Sequence, residues 1–452
     1  MLHSITLQDF KSYRKATLPL APLTMLIGAN ASGKSNAIEG LRLLSWLAQG
    51  NRLTSIQNFV RESEQIVRGR IQDLAYSQSG QFSFSCRSID PRTSTTSQEL
   101  MISLSIGSDD LLHVAAERLD DSSAGTSMPL YEVVSEPRKV GNDLTVSYNN
   151  FRRGGKKPRI VCSDQCAVFT QLDNPSRFDK SHTDSHKHIP VATERFRSWL
   201  SNILFLDPVP VQMRDYGFQN ERSMKRDGSN LSGVLYNLWG GREENPTTKQ
   251  QENRETILNF IRSLPEQNIA SVKFLDTPRK EVMLQLVETF GGKELDYDAT
   301  LLSDGTLRVL AIAAAMLTAP EGGLVVIEEI DNGVHPSRAR QLLQQIAMLA
   351  EKRHLRVLLS SHNPALLDAI PTSAVPDVVF CYRDLKDGSS CLVRLEDIPD
   401  YPELIAQGSV GQLMTSGFLD SFVKNHPGPD ERKKKAMEWL ERFRKEVEET
   451  HE

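Results

Sequence analysis

At 452 residues, 39% hydrophobic and 25% charged, the chain has an ordinary globular composition, with material for two or three domains and a substantial core. Its five cysteines, Cys86, Cys162, Cys166, Cys381 and Cys391, are too few and too scattered for a disulfide framework, which fits a reducing, cytoplasmic setting. A formal net charge of -5 gives no global basic signature for nucleic acid, no apolar stretch reaches membrane-span length, and the opening ten residues lack a signal-peptide pattern.

In chain order, residues 5–7 and 16–20 read as short strands joined by a polar turn. The apolar run 23–27 ends at Gly28, and residues 36–49 repeat apolar positions at helical spacing, so the order is strand, glycine-rich turn, helix. From about 85 to 300 the pattern changes: residues 81–86, 100–106 and 282–287 alternate as strands do. Residues 138–159 read as a basic hairpin or loop, 192–204, 231–238 and 253–264 as helices, and the rest of 220–252 as surface connection. The last third becomes α/β, with helices at 307–317 and 336–351 between buried strands at 323–327, 356–360 and 378–382. Short apolar strands separated by helices predict a mostly parallel sheet covered on both faces. Residues 430–452 are charge-dense, with one helical stripe at Ala436, Leu440, Phe443 and Val447.

Residues 28–35, Gly-Ala-Asn-Ala-Ser-Gly-Lys-Ser, satisfy the phosphate-loop pattern. The glycines let the backbone curl so that successive N–H groups face phosphate oxygens, Lys34 supplies a point charge, and the Ser35 hydroxyl suits magnesium. The helix that follows adds its positive dipole end. Gly323-Leu-Val-Val-Ile-Glu328-Glu329 delivers two carboxylates at the end of an apolar strand, one for metal and the next for polarising an attacking water. Ser303 and Gly305 precede the helix at 307–317 as a second anion-binding turn, and His362 ends the strand at 356–360.

These blocks, in this order, resemble the ABC-type ATPase heads of the RecF/SMC/OLD group. Leu7-Gln-Asp-Phe-Lys11-Ser-Tyr, Phe205-Leu-Asp-Pro-Val-Pro and Asp227-Gly-Ser-Asn-Leu contribute to the resemblance, which covers about 1–80 and 200–370. It implies an α/β P-loop head, with a mostly parallel sheet and β-rich and helical insertions. It implies ATP phosphates on Gly28, Asn30, Ala31, Ser32, Gly33, Lys34, Ser35 and Asn36, and magnesium on Ser35 and Glu328 with Gln72 as its sensor. It implies Glu329 as catalytic base, His362 as switch, and Ser303, Asp304 and Gly305 acting on ATP held by a second copy. Glu328 stands where the group more often has Asp, and Asp304 replaces a glycine of the transporter-type signature, pointing away from transporters.

The expected division is an N-terminal lobe at 1–85, an insertion at 86–300, a C-terminal lobe at 301–400 and a helical tail at 401–452 that could touch a partner. Cys162-x-x-x-Cys166 with His182-x-x-x-His186 has near zinc-finger spacing. The flanks at 160–162 and 167–170 read as strands and 181–188 as an exposed polar loop, so a structural role is the favoured reading. The basic runs at 151–157 and 432–435 read as solvated surface, the first with capacity to line a phosphate groove. The functional expectation is a magnesium-dependent ATPase working as a dimer or larger oligomer. It has no nuclease site of its own and regulates a separate nuclease in a bacterial anti-phage cassette, Septu-like by resemblance. The alternatives are a RecF-like DNA repair ATPase and an ATP-bound scaffold with little turnover.

Overall fold

The structure, a computed structural model, describes residues 1–56, 66–89, 97–122, 128–134, 143–152, 154–241, 245–262, 268–332, 336–425 and residue 437. The helical stripe expected within 430–452 lies outside the described residues, as do the tail's basic run and Arg153.

Three strands open the chain: β1 (Leu2–Phe10), β2 (Tyr13–Pro19) and β3 (Leu23–Ile27), the last entering α1 (Lys34–Ala48) through the glycine-rich turn. β1 and β2 join β4 (Gln81–Ile89), β5 (Ser97–Ile106), β6 (Leu112–Asp121), β7 (Tyr131–Val133), β8 (Asp143–Tyr148) and β9 (Arg159–Ser163) in one eight-stranded antiparallel sheet. Its neighbours follow the chain after β4 because short loops favour hairpins.

The central sheet has a different logic. Its order is β10 (Leu204–Leu206), β15 (Leu324–Ile327), β16 (Arg356–Ser360), β3, β17 (Val379–Arg383), β18 (Ser390–Arg394), parallel except for the last pair. A third sheet holds β11 (Gly217–Phe218), β12 (Ile269–Asp276), β13 (Glu281–Phe290) and β14 (Lys293–Asp298).

The central strands are apolar on both sides because each separates two cores. Val325 and Ile327 of β15 pack into a core with α3 (Leu231–Trp239), α4 (Thr248–Ile261), α5 (Asp304–Thr318) and α6 (Pro336–Lys352). Leu324 and Val326 face the other core, built from α1 and the eight-stranded sheet. The period-two alternation of side chains sends each neighbour the opposite way.

Two local expectations change. Residues 181–188 are not a loop: α2 (Thr183–Ser201) starts there, anchored by the buried Ser185 hydroxyl, which donates to Asn149 O at 2.8 Å. Residues 168–171 form a 3-10 turn rather than a strand, because the buried Glu117 carboxylate accepts from the Val168 and Phe169 N–H groups, both at 2.6 Å. Of the zinc-like quartet, Cys162 is buried, the His182 ring nitrogen Nδ1 lies 2.9 Å from the Tyr148 hydroxyl, and His186 Nε2 lies 2.8 Å from Asp179 O.

Candidate nucleotide-binding pocket

The turn between β3 and α1 depends on backbone that only glycine adopts at two points. Gly28 has φ 147° and Gly33 φ 125°. A Cβ on Gly28 would lie 2.2 Å from the Cys381 carbonyl oxygen, and one on Gly33 would lie 2.3 Å from Ser390 Oγ. Side chains from three strands and their turns then pin the loop. Tyr13 donates its hydroxyl to Gly33 O at 3.0 Å, Ser390 donates to Ser32 O at 2.5 Å, and Arg383 Nε donates to Ala31 O at 3.1 Å. Ser12 Oγ accepts from the Asn36 amide and donates its own hydrogen to Ser390 Oγ, each at 2.8 Å. The opening motif therefore acts on the loop directly.

Lys34 begins α1 and donates its ammonium to Gly28 O at 2.6 Å and Ala29 O at 2.9 Å. Burial lowers its pKa, while Cys381, Asp331 and Glu329 pull it back up. No side chain caps α1, so its first N–H groups have no side-chain acceptor and face the loop's mouth.

Opposite the loop, β15 ends at Glu328 and Glu329. Glu328 N–H donates to Leu206 O at 3.0 Å, and its carboxylate pairs with Arg42 of α1. Both partners are mostly covered, with side chains 12% and 17% exposed for Arg42 and Glu328. Burial, helped by nearby Arg226, brings the Arg42 guanidinium down to about 10. Glu329 sits at φ 47°, a left-handed conformation that costs a non-glycine residue about 1 kcal/mol or more. Its N–H donates to Ser360 Oγ at 3.1 Å, and its Oε2 accepts from the Asn332 amide at 2.7 Å. The half-exposed His362 ring stands 3.6 Å from Asp331 Oδ2, and the other Asp331 oxygen is buried without a hydrogen-bond partner.

A pocket of about 330 Å³ joins the two halves. Asn30, Ala31, Gly33, Lys34, Ser35 and Asn36 line one wall; Glu328, Glu329 and His362 line the other, with Ser360 and Ser361. Gly28 and the buried Ser32 shape the loop from behind, outside that lining. The Ser35 hydroxyl and the Glu328 and Glu329 carboxylates that line the pocket are hard oxygen donors of the kind magnesium takes.

Two groups of expected site residues lie elsewhere. Gln72 falls in the 3-10 turn Ile71–Leu74 and does not line the pocket; Arg68, four residues earlier, does. Arg68 is held by Glu39, a buried carboxylate that also pairs with Lys11. Ser303, Asp304 and Gly305 open α5 outside this pocket: Ser303 Oγ accepts from Thr306 N–H at 3.1 Å, and Asp304 pairs with Arg214 at 2.6 Å. Arg68, Arg383 and Arg42 escaped sequence reasoning. Arg68 shares the segment of Gln72, the expected metal sensor, but nothing in the sequence marks the other two.

Residues 1–123 match the family described as AAA ATPase domain, and residues 171–368 match that described as AAA domain, putative AbiEii toxin, Type IV TA system. The chain is 21% identical over 399 residues to "Retron Vc95 probable ATPase" of Vibrio cholerae, covering 83% of this chain and 72% of that protein. It is 42% identical over 72 residues to "DNA replication and repair protein RecF" of Gloeobacter violaceus, which covers 16% of this chain and 17% of that one. Among solved structures, an SMC head bound to the C-winged helix domain of ScpA aligns with 87% of this chain and 97% of its own, at TM-score 0.45 and 12% identity. The SMC head domain from Thermotoga maritima aligns with 87% and 98% at TM-score 0.38 and 11% identity. The two ATPase-domain matches carry opposite walls of the pocket, the loop in one and Glu328, Glu329 and His362 in the other, on an α/β fold whose central sheet is mostly parallel.

Proposed function

We propose that this chain binds ATP with magnesium in the pocket between the 28–35 loop and the end of β15, and hydrolyses it as a dimer or larger oligomer. One observation carries this reading: the loop lysine and the paired carboxylates, far apart in the chain, line a single pocket.

In this reading the loop backbone from Gly28 to Gly33, with Asn30, Ala31 and Ser32, wraps the phosphates, and Lys34 and the amide end of α1 neutralise their charge. Ser35 and Glu328 would hold magnesium, which would supply neutralisation of the phosphate charge. Asn36 braces the loop through Ser12. Glu329, oriented by Asn332 and the Ser360 hydroxyl, takes a proton from the attacking water. The water oxygen bonds to the terminal phosphorus as the bond to the bridging oxygen breaks, leaving ADP and phosphate. His362, held near Asp331, reaches the terminal phosphate as the switch. Ser303 and Asp304, exposed at the head of α5, and the half-buried Gly305 close the site on ATP bound by a second copy.

As for its setting, we favour control of a separate nuclease in anti-phage defence, with the effector chemistry on that partner. The retron-named relative supports a defence setting. The short match to a RecF protein supports the rival reading of DNA repair. Purified chain should bind ATP and turn it over with magnesium, and Lys34→Ala should lose turnover and bind ATP about 100-fold more weakly or worse. Turnover that rises with DNA and without any nuclease would favour repair; unaltered ATP affinity in Lys34→Ala would refute the pocket.

A further inference from the structure

Ser35, Ile38 and Arg42 recur at i, i+3 and i+7, so they lie along one face of α1, two turns from the loop to the end of β15. That face brings Arg42 onto the carboxylate of Glu328, the residue assigned to magnesium above. The guanidinium is mostly buried, its Nε has no hydrogen-bond partner, and Arg226 adds a second positive charge nearby. Arg42 also rests over the Phe205 ring, 5.9 Å from its centroid.

A divalent cation on the Glu328 carboxylate would stand beside this guanidinium in a poorly hydrated place, where like charges repel strongly. An adjoining cavity of about 650 Å³, lined by Arg42 with Trp46, Phe205, Met224 and Arg226, gives the side chain room to withdraw. Glu328 carries one more methylene than aspartate, a reach that lets its carboxylate meet Arg42 from the strand end.

We propose that Arg42 is a positioning residue that competes with the metal for the Glu328 carboxylate, and so limits how much magnesium strengthens ATP binding. The inference rests on the ATP and magnesium reading above. It makes Arg42 a built-in counter-ion, occupying the carboxylate until metal and nucleotide arrive together.

The test measures affinity for a fluorescent ATP analogue in EDTA and in saturating magnesium, on a Glu329→Gln background so that hydrolysis does not intervene. The quantity read is the ratio of the two affinities, because a merely structural defect lowers both alike. Arg42→Met, which keeps length and removes charge, should enlarge the ratio about ten-fold, as expected for loss of a partly buried opposing charge. Arg42→Lys should return it towards the parent value. On a Glu328→Asp background, whose shorter carboxylate falls away from Arg42, the Met substitution should change the ratio little; should Arg42→Met not fold, Arg42→Gln removes the same charge and should enlarge the ratio in its place. A ratio unchanged or reduced by Arg42→Met would overturn the inference while leaving ATP binding in place. A parent protein that binds no nucleotide in either solution would overturn the ATP reading and this inference together.

Discussion

Two helix beginnings in this molecule solve the same problem in opposite ways. At α1 the residue before the helix is Gly33, no side chain caps the first turn, and the exposed N–H groups open into the pocket. At α5 the preceding Ser303 accepts from Thr306 N–H, so the helix end is already satisfied from within. The first leaves its whole opening turn without a side-chain acceptor, while the second has one N–H already taken. If Ser303 serves ATP on a second copy, its hydroxyl must exchange one partner for another, whereas the head of α1 has no side-chain cap to exchange. A 3-10 turn at 168–171 shows the third solution, a buried carboxylate from Glu117 seated on two N–H groups.

The comparison breaks most sharply at Lys34. Lys34→Ala should cost about 100-fold or more in ATP affinity, roughly the 3 kcal/mol of a hydrogen bond to a charged group, with the melting temperature little changed. Next, Glu329→Gln should slow hydrolysis by about 10²-fold or more while ATP remains bound, read as a stable dimer by size-exclusion light scattering. Normal turnover would place the proton acceptor elsewhere. Gly33→Ala pits geometry against the loop: its Cβ would meet Ser390 Oγ at 2.3 Å, so about 3 kcal/mol of stability should go. Gly80→Ala, also at positive φ but with nothing within 4 Å, should cost only about 1 kcal/mol by chemical denaturation. Ser303→Ala should lose about 1 kcal/mol through its cap alone, a loss seen without nucleotide.

The smallest effect belongs to Glu117. Burial raises its carboxyl to about 7, against partial lowering by the Tyr131 hydroxyl and the two N–H groups. The folded chain therefore keeps a proton that the unfolded chain gives up near the usual carboxyl value, so this group's contribution to stability falls as pH rises from about 4.5 to about 7. Thermal melts of Glu117→Gln against the parent should diverge across that window in the variant's favour, and parallel curves would refute the assignment.

The glycine-rich turn was legible because its signal is local: two backbone conformations, a lysine and a hydroxyl at fixed spacing. The buried strands at 323–327 and 356–360 were legible because a strand covered on both faces is apolar throughout. The start of α2 was not, since its first residues are polar and the helix is anchored by Ser185 on Asn149, a contact between segments. Arg68 was hidden behind Gln72 for the same reason: which side chain of that segment enters the pocket depends on Glu39 and Lys11.

By itself, then, the order of residues determined the loop's shape, the strand that ends in two carboxylates, and the α/β character of the last third. Backbone dihedrals and side-chain periodicity depend on chain neighbours, so they can be read without coordinates. Tertiary structure alone decided that Arg42 faces Glu328, that Arg383 holds the loop, and that Ser303 lies outside the pocket lining. Charges find partners through space, and no spacing rule along the chain records which helix face meets which strand end.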